Sequence, residues 1–228
     1  MADHQTSANL LTVAQLLAAG EIDLARRTAS ERLPFTPRRR DKHHISDRDK
    51  LRVYLKDGFI DRYTGLQVWH PCALRLFAEF MPDLLPYHKN GRLDQCHILH
   101  WDLSPAVDHI VPITRGGAHD PENWITTSWG KNTIKSNMSL DELGWTIHPR
   151  GDLKEWDGGT GWLLDAIEHR GDLRLKTPFG KWHRDTLAVL SEIGVEPATL
   201  MSRRDWPGHG FASNPNASPS SVEAPEAD

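Results

Sequence analysis

Cysteine is scarce in this sequence, which contains only Cys72 and Cys96 among its 228 residues. Two thiols do not form the disulfide framework of a small secreted protein, and their scarcity favours a reducing compartment, so we expect a cytoplasmic protein. Long apolar runs are also missing. The best candidate, residues 10–19, is interrupted by polar residues and is too short to span a membrane. We therefore expect no contact with a membrane.

The chain also lacks an excess of positive charge, since its formal net charge is −4. The cations are unevenly distributed, however. From Arg38 to Lys56, eight lysines and arginines accompany three aspartates, which leaves a local charge of +5. Local patches, rather than totals, steer ligands that carry phosphate. This run either binds a DNA backbone, with Arg38, Arg39 and Arg40 as candidate contacts, or forms a solvated surface.

The chain is long enough for one packed domain with arms, and its hydrophobic content of 38% supports such a core. Breaks in composition predict four segments. These are an N-terminal helix and basic linker (residues 1–40), a central core (41–148), a C-terminal helical extension packed on that core (149–206) and a disordered tail (207–228).

Local cap and turn signals predict several short elements. Helix-capping side chains, prolines and glycines mark where the chain starts and stops a helix. They predict a helix from Ser7 to Gly20, one from Ser46 to Gly58, a hairpin turning at Gly65, a helix from Pro71, a capping box from Ser139 to Glu142, and helices near 161–169 and 184–193.

The most informative stretch is "PAVDHIVPITRGGAHDPENWITTSWGKNTIKSN", residues 105–137. "VDHIVPI" and "WITTS" are rich in β-branched residues, "TRGGAHDPEN" has the composition of a loop, and "WGKNTIKSN" is compatible with a helix. The order is therefore strand, loop, strand, helix.

This ordered set resembles the HNH nuclease family. The resemblance rests on Asp108-His109-Ile110 with Pro112, on Gly116-Gly117, on Asn123, and on Asn132 followed by Lys135. It implies an α+β fold in which a ββα-metal core is embedded in several short helices. It also implies a divalent-metal-dependent endonuclease that hydrolyses DNA phosphodiester bonds.

The resemblance assigns a role to each polar side chain of the motif. His109 is the general base, because imidazole accepts a proton from water near neutral pH. Asp108 and Asn132 hold Mg²⁺, a hard cation that prefers oxygen ligands and for which Mn²⁺ or another divalent ion can substitute. Asn123 belongs to the catalytic unit by bracing the turn between the strands. Lys135 is expected to contact phosphate.

Other residues of the loop leave questions for the structure. Arg115 is a further candidate phosphate contact, and His119 is expected to be solvated. Neighbouring side chains in a regular strand point to opposite faces. Asp108 and His109 can therefore serve one centre only if the strand twists or ends there, or if the metal ion sits at an edge.

The sequence departs from the family pattern at the positions that often hold two Cys-x-x-Cys pairs and a structural zinc. Those positions carry Asp61, Thr64, Ser128 and Lys131, so we expect the usual zinc to be missing. Packing of the nine tryptophans and of the extra helices is expected to supply the stability instead. An alternative zinc site has candidate ligands in His70, Cys72, Cys96, His97 and His100. The competing interpretation is that these cysteines are buried and these histidines hydrogen-bonded.

Two alternative functions remain open at this point. The chain could be a nucleic-acid-binding module that keeps the fold without catalysis. It could also be the nuclease subunit of a larger restriction or phage DNA-processing assembly, or a homodimer, since a cut in both strands favours two active sites. DNA is the expected partner in each case.

Overall fold

The computed structural model describes residues 4–35 and 44–200. The chain divides into two compact units, residues 1–43 and residues 44–228. The expected contacts Arg38, Arg39 and Arg40 and the expected tail over 207–228 lie outside the described residues.

The first unit contains two helices, α1 (His4–Ala18) and α2 (Ile22–Arg32). The sequence predicted only one helix here. Gly20 adopts a left-handed backbone with φ of +78°, which ends α1 as expected, but the chain then starts a second helix rather than a linker. None of the described helices, in either unit, is long and apolar enough to cross a membrane.

The second unit is an α+β fold with one small sheet. Its elements are α3 (Asp47–Lys56), α4 (Pro71–Phe80), α5 (Leu99–Leu103), β1 (Pro105–His109), β2 (Trp124–Ser128), α6 (Trp129–Lys135), α7 (Leu140–Leu143), α8 (Thr160–His169), α9 (Gly171–Leu175) and α10 (Phe179–Glu192). Strands β1 and β2 are antiparallel, and α6 follows β2 directly. This is the predicted strand, loop, strand, helix order.

The predicted cap signals explain several of these boundaries. The Ser46 hydroxyl accepts a hydrogen bond from the Asp49 backbone N–H and caps α3. Ser139 and Glu142 form the reciprocal capping box of α7. The hairpin expected around Gly65 is reduced to a single bridge between Ile60 and Gln67.

One hydrophobic core contains helices that precede the sheet in the chain and helices that follow it. Side chains of α3, α4, α8, α9 and α10 bury one another, with Leu51, Leu76, Leu163 and Leu190 fully inaccessible. Aromatic rings pack edge to face around Trp69, whose ring lies 5.1 Å from Trp156. The boundary expected between residues 41–148 and 149–206 stays a prediction, but helices from both segments contribute to this one core.

Buried carboxylates accept hydrogen bonds from the backbone N–H groups on the outer edge of β2, where a third strand would otherwise lie. The Thr126 backbone N–H donates to Asp57 at 2.8 Å, and the Ser128 backbone N–H donates to Asp61 at 3.1 Å. The Arg62 backbone N–H donates to the Thr126 carbonyl at 2.9 Å. A two-stranded sheet alone is marginally stable, so these bonds explain how the site strands stay in place.

Candidate active site

Asp108 and His109 lie at the end of β1. Asp108 is opposite Ile125 and His109 is opposite Trp124 in the strand register. The sequence predicted β-structure through Ile113, but the strand stops at His109 and residues 113–115 form a 3-10 turn. His109 is the last residue of β1, so the strand ends at this residue, which is one of the three arrangements that the sequence left open.

Two side chains bind the Asp108 carboxylate. Its Oδ2 accepts a hydrogen bond from the Tyr63 hydroxyl at 2.8 Å and pairs with Lys135 Nζ at 2.8 Å. Burial, and then the negative charge of Asp108, raise the pKa of the Tyr63 phenol above its ordinary value. Tyr63 therefore remains a neutral donor to the carboxylate.

Lys135 does not lie where the sequence placed it. We expected it on the same helix face as Asn132, in contact with phosphate. Its side chain is 0% exposed, and Nζ also donates to the His109 carbonyl at 2.8 Å. The last turn of α6 is thus tied to two consecutive residues of β1. The i+3 spacing from Asn132 is compatible with either position, because helical spacing does not say which face meets the sheet.

The His109 ring contacts two aromatic neighbours. Trp124 Nε1 donates to His109 Nε2 at 3.2 Å, and His119 Nδ1 lies 3.0 Å from the same Nε2. An indole nitrogen only donates, so in this arrangement Nε2 carries the lone pair of a neutral imidazole. The His109 and His119 rings are 5.2 Å apart and tilted by 30°.

The expectation that His119 is solvated was therefore wrong. His119 is half-buried, and its ring also meets Trp124 edge to face at 5.3 Å. His119 follows His109 by ten residues, so no local pattern in the sequence predicts the contact. The one signal in the sequence was Trp124, which pairs with His109 across the strands and whose ring also contacts His119.

Asn123 ties the two ends of the loop together. Its Oδ1 accepts from the Val111 backbone N–H at 2.9 Å, and its Nδ2 donates to the carbonyls of Val111 and Ala118 at 2.9 and 2.8 Å. A Cβ on Gly117 would lie 1.9 Å from the Val111 carbonyl oxygen, so only glycine fits there. The asparagine and this glycine form one bracing unit immediately after His109.

The remaining predicted site residues have different surroundings. Asn132 is half-buried on α6, one turn before Lys135, and borders a cleft with Trp101 and Trp129. Arg115 is paired with Glu142, at 2.9 Å between Nη2 and Oε2. Direct contacts thus join Asp108, His109 and Lys135.

The expected metal ligands are oxygens of Asp108 and Asn132, and one of them, Asp108 Oδ2, is already bound by Tyr63 and Lys135. Within residues 4–35 and 44–200, no group of three or more His, Cys, Asp or Glu side chains could hold a metal ion. That argues against a closed cage of protein ligands. Mg²⁺ usually keeps several waters and takes one or two carboxylates. Asp108 and the Asn132 amide offer oxygen ligands of that kind.

The four positions that often carry zinc ligands surround one cleft of about 160 Å³, bordered by Asp61, Thr64, Ser128 and Lys131. At this cleft the buried Asp61 carboxylate accepts from the Tyr63 N–H at 3.0 Å, the Thr127 hydroxyl at 3.1 Å and the Ser128 N–H at 3.1 Å. Ser128 in turn caps α6. Hydrogen bonds connect these segments where the zinc-bearing pattern has cysteines.

The alternative zinc ligands have other environments in the structure. His70 is fully buried, with Nε2 3.1 Å from the Thr186 hydroxyl and Nδ1 accepting from the Cys72 N–H. Burial raises the pKa of the Cys72 thiol to about 12, which disfavours the thiolate that zinc requires. Burial lowers the pKa of His70 to about 3, so its ring is neutral at neutral pH.

Replacing Asp61 by alanine is expected to lower the free energy of unfolding by about 3 kcal/mol, because three donors lose a charged acceptor. Urea denaturation measures the change. Thr64→Ala, at the same cleft, is the matched control and should cost less than about 1 kcal/mol. If Asp61→Ala is as stable as Thr64→Ala, or if the purified parent holds one zinc per chain, hydrogen bonding does not replace the metal here.

The comparison with known families agrees with this geometry. Residues 94–137 match the HNH endonuclease family model. The matched HNH segment contains α5, both strands and α6. The resemblance seen in the sequence is confirmed, and with it a nuclease type of function. Neither the search of curated proteins nor the search of solved structures returned a match.

Proposed function

We propose that this protein is a divalent-metal-dependent endonuclease that hydrolyses DNA phosphodiester bonds with His109 as the general base. One observation carries the proposal. Within the HNH segment, a carboxylate and an imidazole are consecutive at the end of a strand, and the last turn of α6 is bonded to both residues through Lys135.

His109 would take the proton of the attacking water at Nε2. That nitrogen carries the single lone pair of the neutral ring, and Trp124 and His119 both lie against it in the structure. The attacking water can therefore reach Nε2 only after these two contacts have opened. The contacts stay open once the proton has arrived, because a protonated Nε2 no longer accepts hydrogen bonds. We assign His119 and Trp124 as positioning residues rather than as participants in the proton transfer.

Asp108 and Asn132 would hold the divalent ion, which supplies positive charge for the phosphate and the leaving oxygen when it is bound. Tyr63 and Lys135 both bind Oδ2 of Asp108, so they orient the carboxylate. A buried lysine also offsets part of the charge of that carboxylate. We propose Lys135 as an orienting residue, and we retain Arg115 as a phosphate contact that must exchange its bond with Glu142 for one with DNA.

Covalently closed circular DNA tests the proposed activity. We expect Mg²⁺ or Mn²⁺ to support conversion of the supercoiled form to open or linear forms, and EDTA to prevent it. A circle has no ends, so the product distinguishes an endonuclease from an exonuclease. Salt-sensitive binding without cleavage in any metal would instead favour a non-catalytic nucleic-acid-binding module.

A further inference from the structure

Two neighbouring clefts share the side chain of Trp129. The larger has a volume of about 490 Å³ and lies among α3, α4, β1 and α10. The smaller has about 270 Å³ and lies between α6 and residues 89–91. We call the surface that runs across both clefts the tryptophan track. Six side chains define it: Arg75, Lys181, Trp182, Trp129, Trp101 and Lys89.

The charge of the two clefts is opposite to that of the chain. Lysines and arginine contribute four positive charges to their walls, and Asp47 is the single carboxylate in the two linings. Asp47 is already paired with Lys50 at 3.3 Å and with Lys181 at 2.8 Å. The lining side chains carry a net charge of +3 in a protein whose formal charge is −4. Lys181 is also paired with Asp185, outside the lining, at 2.8 Å, so Lys89 and Arg75 are the cations assigned to phosphate. Local charge of this kind selects an anionic ligand.

The aromatic walls are held in place by their own contacts. Trp129 meets Trp101 edge to face, with ring centroids 6.3 Å apart and planes at 85°. The Trp101 indole donates to the Gly91 carbonyl at 2.9 Å, which fixes it against the loop that carries Lys89. Indoles spaced between cations are the chemistry that binds unstacked nucleotides, since bases stack on the rings and phosphates meet the cations.

The track borders the two elements, β1 and α6, that carry the candidate catalytic residues. Its larger cleft is bordered by residues 105–107 of β1, which end one residue before Asp108. Its smaller cleft is bordered by Asn132, the other candidate metal ligand. A strand lying along the track would therefore pass the two elements that carry the catalytic groups.

We propose that the tryptophan track binds unpaired nucleotides of the substrate strand, with a base against Trp129 and phosphates at Lys89 and Arg75. The inference rests on the proposed nuclease function and names the form of its substrate: a locally unstacked single strand. It also gives the C-terminal segment, through Lys181, a part in substrate binding.

Binding of a labelled single-stranded oligothymidylate, measured by anisotropy in EDTA, tests the track without requiring cleavage. All variants carry His109→Ala. We expect Trp129→Ala to weaken binding about tenfold or more, and Trp129→Phe to retain most of it. Lys89→Ala should weaken binding and reduce the slope of log K against log salt by about 0.7. Lys154→Ala, an exposed lysine outside both clefts, is the matched control and should bind as the parent does.

The outcomes separate this inference from the proposed activity. Parent-like binding by both Trp129→Ala and Lys89→Ala would overturn the track, whatever happens to circular DNA. Loss of binding in these two variants, with none in Lys154→Ala, supports it even if no metal yields cleavage. Lys89 lies in a loop, so its variant remains informative if Trp129→Ala fails to fold, which circular dichroism will show.

Discussion

Asp108→Ala is expected to lower the free energy of unfolding by about 3–5 kcal/mol, the usual effect of removing one partner of a buried ion pair. The Lys135 side chain is 0% exposed, and its ammonium would keep the His109 carbonyl and the face of the Tyr63 ring as partners but no counter-charge within hydrogen-bond distance among the described residues. Tyr63 would lose its acceptor as well. Urea denaturation monitored by tryptophan fluorescence measures the change.

The double variant Asp108→Ala/Lys135→Met is the matched control. Methionine removes the unpaired charge while keeping most of the side-chain volume, so the double variant should recover part of the lost stability. A single variant within about 1 kcal/mol of the parent would show that the pair is not buried in solution as the structure has it. Cleavage lost in Asp108→Ala would therefore have two causes, the removal of a proposed metal ligand and the loss of stability.

His109→Ala is expected to reduce metal-dependent cleavage by about 10²–10⁴-fold, the usual contribution of general base catalysis. The side chain is half-buried and borders the loop, so its removal should leave the fold and DNA binding largely unchanged. Single-turnover cleavage, with binding measured in parallel, tests both halves of the expectation. His169→Ala on α8 is the control, because its side chain is about half exposed and hydrogen-bonds only within its own helix.

The parts of the fold that sequence predicts well are those that depend on near neighbours. Ser46 bonds to a backbone N–H three residues away, and the Ser139–Glu142 box closes within one turn. The pairing of β1 with β2 followed from the strand, loop, strand order of the HNH motif. Each of these signals is contained in a short window, and the structure has each one.

The parts that sequence reasoning missed depend on contacts across long stretches of chain. Asp61 reaches Ser128 over 67 residues, and Tyr63 reaches Asp108 over 45. Nothing in the local pattern says that a carboxylate near residue 60 will hold the end of a strand near residue 128. The motif identified Lys135 as a site residue. The direction of its side chain depends on how α6 packs on the sheet, which the motif does not specify.

The four positions that often hold zinc ligands also show the difference between local signals and long-range contacts. The absence of cysteines at residues 61, 64, 128 and 131 was readable from the sequence. The hydrogen bonds at these positions could not be predicted from the sequence. We expected stability to come from the tryptophans and the extra helices. The structure has Asp61 accepting three hydrogen bonds at that location, and the stability expected from the tryptophans and helices stays a prediction. The tryptophans pack in the core and along the two clefts.

Chemical rescue of His109→Ala by imidazole tests the central claim most directly. Imidazole added to the variant should enter the space of the missing ring and raise the single-turnover cleavage rate of Mg²⁺-activated protein in proportion to its concentration, while leaving the parent rate unchanged. Such a result identifies the lost function as proton acceptance. Cleavage by His109→Ala at the parent rate without imidazole would contradict the account.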